Sequence, residues 1–282
     1  MDSWSITRIA DQLEELNIAL DREAMSMARW IWMEILMLPK DREVELTESN
    51  KQRLAQTITR LLHGEPVQYI AGHAWFYGLK FHVNPDVLIP RPETEEIVEW
   101  ILSDLKNIPT KGVRILDIGT GSGCIAITLK KHLGLEAEVM AIDVSEGALD
   151  VSRMNSDQIG VNVDFRNLDF LSDKLDSLGL FDVIVSNPPY VSKEIAGDDI
   201  IHRLKYEPEL ALYPSGSDPD IFYKKFSTLG KRNLKEGGRC YFELNEFRAK
   251  EIEAYFNLKG WGGTEVRIDL QGMPRMLKTT RI

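Results

Sequence analysis

The chain has 282 residues, 43% apolar and 28% charged, and its 34 Lys plus Arg against 44 Asp plus Glu give a net charge of −10. That balance predicts a folded, soluble protein of one or two domains and excludes wholesale disorder, collagen-like repetition and coiled coil. An acidic total offers no global attraction to a phosphate backbone, and two cysteines, Cys124 and Cys240, allow neither a disulfide framework nor a cysteine-based metal site.

Met1-Asp2-Ser3-Trp4 is acidic and polar where a secretory leader would be basic and then apolar. The greasiest stretch, Trp30 to Leu38, is broken by Glu34 and stopped by Pro39, far short of the roughly 20 apolar residues that span a bilayer. A cytoplasmic protein without a membrane span is expected. Ile6, Ile9, Leu13, Leu16 and Leu20 fall on one face of a helix, and Ala24 to Leu38 is apolar around its whole circumference, as in a helix buried among others. Leu54, Ile58, Leu61 and Leu62 mark a further helix that Thr47 caps and Gly64 ends. Residues 1–73 therefore read as a small all-α bundle. Trp75, Phe76, Tyr77, Phe81 and Val83, with Gly78 and Asn84-Pro85 as turn signals, predict a β-hairpin within a linker at 74–91. Pro92 then occupies the first turn of a helix to about Lys106.

From there to residue 282 strands and helices alternate. Strands are expected at Val113–Ile118, Ala137–Ile142, Val161–Phe165, Phe181–Ser186 and Arg239–Leu244, and near 265–270 and 275–282. Helices are expected at Cys124–Leu133, from the Ser145 cap to Asp157, from Asp218-Pro219 to Leu229, and at 246–258. The pattern is α/β: a seven-stranded, mostly parallel sheet covered on both faces, with ligands bound at the carboxyl ends of its strands.

Asp117-Ile118-Gly119-Thr120-Gly121-Ser122-Gly123 follows the first of these strands and opens a helix. Glycines there permit positive φ and close approach of a ligand. A dinucleotide fingerprint would need a third glycine at position 124, which is Cys124, so a NAD-dependent oxidoreductase is disfavoured. The G-x-G-x-G spacing resembles the Rossmann-like class I methyltransferase pattern and so implies S-adenosyl-L-methionine as cofactor. Asp143, at the end of the second strand, is placed to accept from both ribose hydroxyls, while Asp169 and Phe170 offer a carboxylate and an aromatic face to adenine.

After the fourth strand stands Asn187-Pro188-Pro189-Tyr190. The prolines fix φ and remove donors, so the Asn187 side chain and the Pro188 carbonyl are presented as two acceptors, and Tyr190 as a ring for a planar substrate. Two acceptors suit an NH₂ on an sp² carbon, whose delocalised lone pair must be oriented before it attacks a methyl group. Such a group is a carboxamide or the exocyclic amine of adenine. An adenine-N6 nucleic-acid methyltransferase stays open at this point, although the acidic total and the lack of a basic target-recognition region count against it. A non-enzymatic scaffold that only binds the cofactor is the third reading.

Together with Gly64-Glu65-Pro66-Val67-Gln68-Tyr69-Ile70-Ala71-Gly72, Leu88-Ile89-Pro90-Arg91-Pro92-Glu93-Thr94-Glu95, Tyr206-Glu207-Pro208, Ala211-Leu212 and Gly216-Ser217-Asp218, these motifs resemble the release factor glutamine methyltransferases (the PrmC/HemK family). The ribosomal-protein glutamine methyltransferases usually carry Ser where this chain has Pro92. The resemblance implies N5 methylation of the glutamine in the Gly-Gly-Gln loop of class 1 peptide chain release factors, with the N-terminal helices recognising the substrate protein. It implies no metal, no stable nucleic-acid partner and no membrane. The chain departs from the family pattern at Ser215-Gly216, where two glycines are expected, and at Asn245, where Gly is usual; neither is expected to touch the transfer chemistry. His63, His73, His82, His132 and His202 show no metal-ligand spacing, Cys124 is expected to pack its helix against the sheet, and Lys224-Lys225 reads as a solvated helix face.

Overall fold

The computed structural model describes residues 3–40, 42–109, 111–172, 175–191, 204–214, 216 and 218–282. They fall into two compact units, one comprising the residues up to His73 together with 204–206, the other the hairpin from Ala74 onward and the α/β part.

In the first unit, β1 (Ser3–Trp4) pairs antiparallel with β2 (Val44–Glu45). The Ser5 hydroxyl accepts from the Arg8 amide and opens α1 (Ile6–Glu15). The predicted stripe to Leu20 is cut short, because Asn17 takes a left-handed φ of 53° and Leu20 becomes the exposed residue before α2 (Asp21–Trp30). That helix continues as a π-helical turn at Ile31–Ile35, where the Leu36 amide donates to the Ile31 carbonyl at 2.8 Å. The wide turn buries Ile31, Trp32, Ile35 and Leu36 but leaves Met33 and Met37 exposed, so the segment is not buried around its whole circumference as expected. Thr47 caps α3 (Glu48–Leu62), Gly64 follows it at φ 86°, and α4 (Val67–Ala71) ends at left-handed Gly72. Ile9, Leu13, Ala28, Trp32, Leu54 and Leu61 form this unit's core.

In the second unit, β3 (His73–Phe76) and β4 (Leu79–His82) form the predicted hairpin, turned by Tyr77 and Gly78, both at positive φ as a two-residue hairpin requires. Phe76 and Phe81 are buried in the α/β core with Trp100 and Ile125. Then follow α5 (Pro92–Leu105), β5 (Arg114–Ile118), α6 (Cys124–Leu133), β6 (Glu138–Asp143), α7 (Glu146–Ile159), β7 (Asp164–Asn167) and β8 (Phe181–Ser186). The chain ends with α8 (Glu209–Leu212), α9 (Ile221–Asn233), β9 (Leu234–Glu243), α10 (Ala249–Leu258), β10 (Gly262–Ile268) and β11 (Pro274–Thr280).

Among the described residues seven strands form one sheet in the order β10-β11-β9-β8-β5-β6-β7. The run from β9 to β7 is parallel, and β11 and β10 join antiparallel. This is the expected mostly parallel sheet, and β5 and β8 are buried along almost their whole length, as strands covered on both faces must be. Two boundaries differ from expectation. The third strand is Asp164–Asn167 rather than Val161–Phe165, and β9 begins at Leu234 instead of Arg239, running through the Gly237-Gly238 irregularity. No helix among the described residues is long and apolar enough to cross a membrane.

Candidate active site

Strand order reverses at β5: β6 and β7 lie to one side, and the chain returns to add β8 on the other. Ligands bind at such a switch point, at the carboxyl ends of the strands. Here the ends of β5, β6 and β8 border a cleft that is open to solvent and lined largely by apolar surface with a few convergent polar groups, as small-molecule sites are.

Gly119, Thr120, Gly121 and Ser122 line the cleft. The loop is tied to β6 by the Gly119 and Thr120 amides, which donate to the Ile142 carbonyl at 2.9 and 3.1 Å. Gly119 and Gly121 have φ of 72° and 55°, and a Cβ at either would extend into space that no protein atom occupies. Asp143 faces the loop from the end of β6. Its Oδ2 accepts from the Gly121 amide and its Oδ1 from the Ser145 amide, both at 2.9 Å. Burial raises the Asp143 carboxyl and those amides pull it back. Ser145 in turn caps α7 by accepting from the Ala148 amide.

Asp169 and Phe170 line the opposite wall. The Asp169 carboxylate orders its own turn, accepting from the Leu171 amide and the Ser172 hydroxyl at 2.8 Å each. The Phe170 ring packs 4.4 Å from that of Phe226 and lies nearly parallel to that of Phe222, which also lines the cleft.

Asn187 and Pro189 close the third side. The Ser186 hydroxyl donates to the Ile118 carbonyl at 2.6 Å, so the residue before Asn187 is fixed to the residue before Gly119. The Asn187 Nδ2 donates to the Thr94 hydroxyl at 3.2 Å, which leaves Oδ1 as the atom able to accept from a bound partner.

Residues 6–72 match the PrmC N-terminal domain, and residues 98–218 the methyltransferase small domain. The release factor glutamine methyltransferase of Flavobacterium psychrophilum is 43% identical over 222 residues, 78% of this chain and 77% of that one. That of Bacteroides thetaiotaomicron is 36% identical over 277 residues, 97% of this chain and 98% of that one. This chain belongs to the release factor glutamine methyltransferase family. A Pyrococcus furiosus methyltransferase of known structure has the same fold, with a TM-score of 0.53 at 21% identity over 80% of this chain and 98% of that one.

Within this glutamine methyltransferase, two residues of the glycine motif stand back from the cleft. Asp117 is fully buried and does not line it; its Oδ2 accepts from the Thr120 hydroxyl at 2.7 Å and so braces the loop from behind. Gly123, at φ 81°, caps α6, and a Cβ there would lie 2.7 Å from Ile127 Cδ1 and 3.1 Å from Ser152 Cβ, so its place in the motif is one of packing. Pro188 and Tyr190 also lie outside the lining. Pro188 is buried, and the Tyr190 hydroxyl donates to Glu243 Oε1 at 2.6 Å.

Several residues of the methyltransferase site have no chemical role that their local sequence declares. Thr94, in the first turn of α5, lines the cleft and donates to Glu243 Oε2 at 2.6 Å. Asn155, fully buried in α7, donates to the Ser122 and His82 carbonyls and accepts from the His82 amide, joining the glycine loop to the hairpin. Asn245, expected to stand apart from the chemistry, donates to the Tyr190 carbonyl at 3.3 Å while its Oδ1 accepts from the Phe247 amide. Ser215 and Ser217 lie outside the described residues. Lys224 pairs with Asp218 on the helix surface, whereas Lys225 donates to the Leu171 carbonyl. Cys124 is buried and lines the cleft. Among the described residues no group of three His, Cys, Asp or Glu could hold a metal ion.

Proposed function

We propose that this chain transfers a methyl group from S-adenosyl-L-methionine to the side-chain amide nitrogen of the glutamine in the Gly-Gly-Gln loop of class 1 peptide chain release factors. One observation carries the reading: Asn187 stands at the end of β8 with its NH₂ committed to Thr94 and its oxygen left to accept. Membership of the family supplies the substrate class.

The cleft residues fit the cofactor. Gly119 and Gly121 leave room for close approach of a ligand. A carboxylate has about four acceptor directions, so Asp143, which accepts from the Gly121, Ser145 and Val144 amides, keeps one for a ribose hydroxyl. Phe170 and Phe222 offer apolar faces to a purine, with Asp169 beside them. When bound, the cofactor supplies an electrophilic methyl on a sulfonium.

The chain's own residues prepare the nucleophile. Asn187 Oδ1 and the Pro188 carbonyl accept the two N–H bonds of the glutamine amide and hold its nitrogen in line with the methyl group. The same acceptors favour the positive charge that gathers on nitrogen as the N–C bond forms and the C–S bond breaks, the electron pair staying with sulfur. The methylated amide nitrogen is strongly acidic and gives its proton to water, so no tuned general base is needed. Tyr190 braces this segment through Glu243. Buried, unpaired Cys124 and Cys240 accord with a reducing cytoplasm.

Incubation of the purified protein with release factor and methyl-labelled cofactor, followed by mass spectrometric mapping, tests the reading. A single methyl on the Gly-Gly-Gln glutamine is expected, and label entering only DNA adenine would overturn it.

A further inference from the structure

We propose that Glu243 is a positioning residue which, through the Thr94 hydroxyl, fixes which way round the Asn187 carboxamide stands, so that oxygen and not NH₂ faces the substrate amide. The inference rests on the reading above that Asn187 accepts from that amide.

A carboxamide turned through half a revolution keeps nearly the same shape, so packing alone does not choose between its two orientations. Hydrogen-bond polarity does. Both oxygens of Glu243 accept, one from the Tyr190 and one from the Thr94 hydroxyl, at 2.6 Å each, the pattern of a carboxylate that has no proton to give. The single Thr94 proton is thereby spent on Glu243, and the Thr94 oxygen can only accept from a second neighbour. That neighbour is Asn187, which must therefore present Nδ2 to Thr94 and Oδ1 to the cleft. With NH₂ turned outward instead, two donors would meet and the substrate amide would be repelled.

The inner end of the chain Glu243, Thr94, Asn187 is shielded from water, with Glu243 1% and Thr94 2% exposed, while Asn187 faces the cleft. The Tyr223 hydroxyl donates to the Glu243 carbonyl at 2.9 Å and holds its backbone. A glutamine at position 243 would fill the same space; with its oxygen held toward Tyr190 by the nearby Arg275 charge it would donate to Thr94, which removes the polarity without removing the bulk. Burial and the Glu93 charge raise the Glu243 carboxyl above the usual range, and Thr94, Tyr190 and Arg275 oppose that rise.

The test measures steady-state methyl transfer to the release factor alongside calorimetric binding of S-adenosyl-L-methionine. Glu243→Gln is expected to lower kcat about 100-fold, the scale of one lost transition-state contact, with KM and cofactor affinity held within about threefold. The double variant Asn187→Asp/Glu243→Gln is expected to turn over about tenfold faster than Glu243→Gln alone. In it the new amide at 243 donates to Thr94, the Thr94 proton passes to the new carboxylate at 187, and an acceptor faces the substrate whichever way that group turns. A merely structural Glu243 predicts that the two losses compound. An unchanged kcat for Glu243→Gln, or a double variant slower than it, overturns the inference while leaving the proposed function standing. Wild-type protein that transfers nothing to the release factor overturns the function itself. Should position 243 variants fail to bind cofactor, Thr94→Ser and Thr94→Val decide: the hydroxyl-retaining variant is expected to be about 30-fold faster, and equal rates overturn the inference.

Discussion

Arg91 and Glu207 form an ion pair at 2.5 Å although 116 residues separate them in the chain, and the Glu207 side chain is only 3% exposed. The other Glu207 oxygen accepts from the Ile89 amide at 3.1 Å. Two segments that the sequence marks only as family-like, Leu88 to Glu95 and Tyr206 to Pro208, are thus joined by this pair, and Arg91, Pro208 and Leu210 all line the cleft. Glu207→Ala removes the buried partner and leaves the Ile89 amide without its acceptor and a part-exposed Arg91 without its pair, so it is expected to cost about 1–2 kcal/mol of unfolding free energy in urea. Glu207→Gln, which still accepts from Ile89, should lose less. Two variants of wild-type stability would show that the pair contributes nothing.

Gly121 and Gly123 are expected to fail differently. Alanine at either pays for left-handed φ, about 1 kcal/mol. At Gly123 the new Cβ also meets Ile127 and Ser152, so Gly123→Ala should lose about 2–4 kcal/mol in all. Gly121→Ala meets no protein atom, and its larger effect should be weaker cofactor binding, since Gly121 lines the cleft. Parallel thermal unfolding and calorimetry separate the two, and identical profiles would contradict the assignment of Gly123 to packing.

Burial pushes the Asp117 carboxyl up from 3.8 to about 7, against the pull of the Thr120 hydroxyl. Between pH ~4 and ~7 the folded protein therefore keeps a proton that the unfolded chain has released, and stability falls as pH rises through that window. Asp117→Asn retains an acceptor for Thr120 and does not titrate. Its stability relative to wild type should improve on the order of 2–4 kcal/mol from pH 4 to pH 8. Unfolding curves that shift in parallel across that range would show that Asp117 does not titrate there.

The glycine loop and Asn187 to Tyr190 are legible in the sequence because their signals are local: a buried strand, a turn of restricted backbone, then a helix or a stiff proline pair. Thr94, Glu243 and Glu207 are not, because their partners lie 93 to 149 residues away and only the sheet topology brings them together. The same limit explains the third strand. β7 is a mostly exposed edge strand, whereas Val161 and Val163, which draw the expectation toward the N-terminal side, pack beneath its start. Asn17 ends α1 by a left-handed residue that periodicity does not register, and the π-turn after Trp30 disrupts the helical spacing itself.

In the proposed function Asn187 serves the transfer step rather than cofactor binding, and Asn187→Ala tests this most directly through kcat for release-factor methylation and the Kd for S-adenosyl-L-methionine measured on one preparation. A fall in kcat of about 10²–10³-fold with Kd within about threefold of wild type is the predicted result. Undiminished turnover, or a loss of cofactor affinity that accounts for the whole defect, would contradict it.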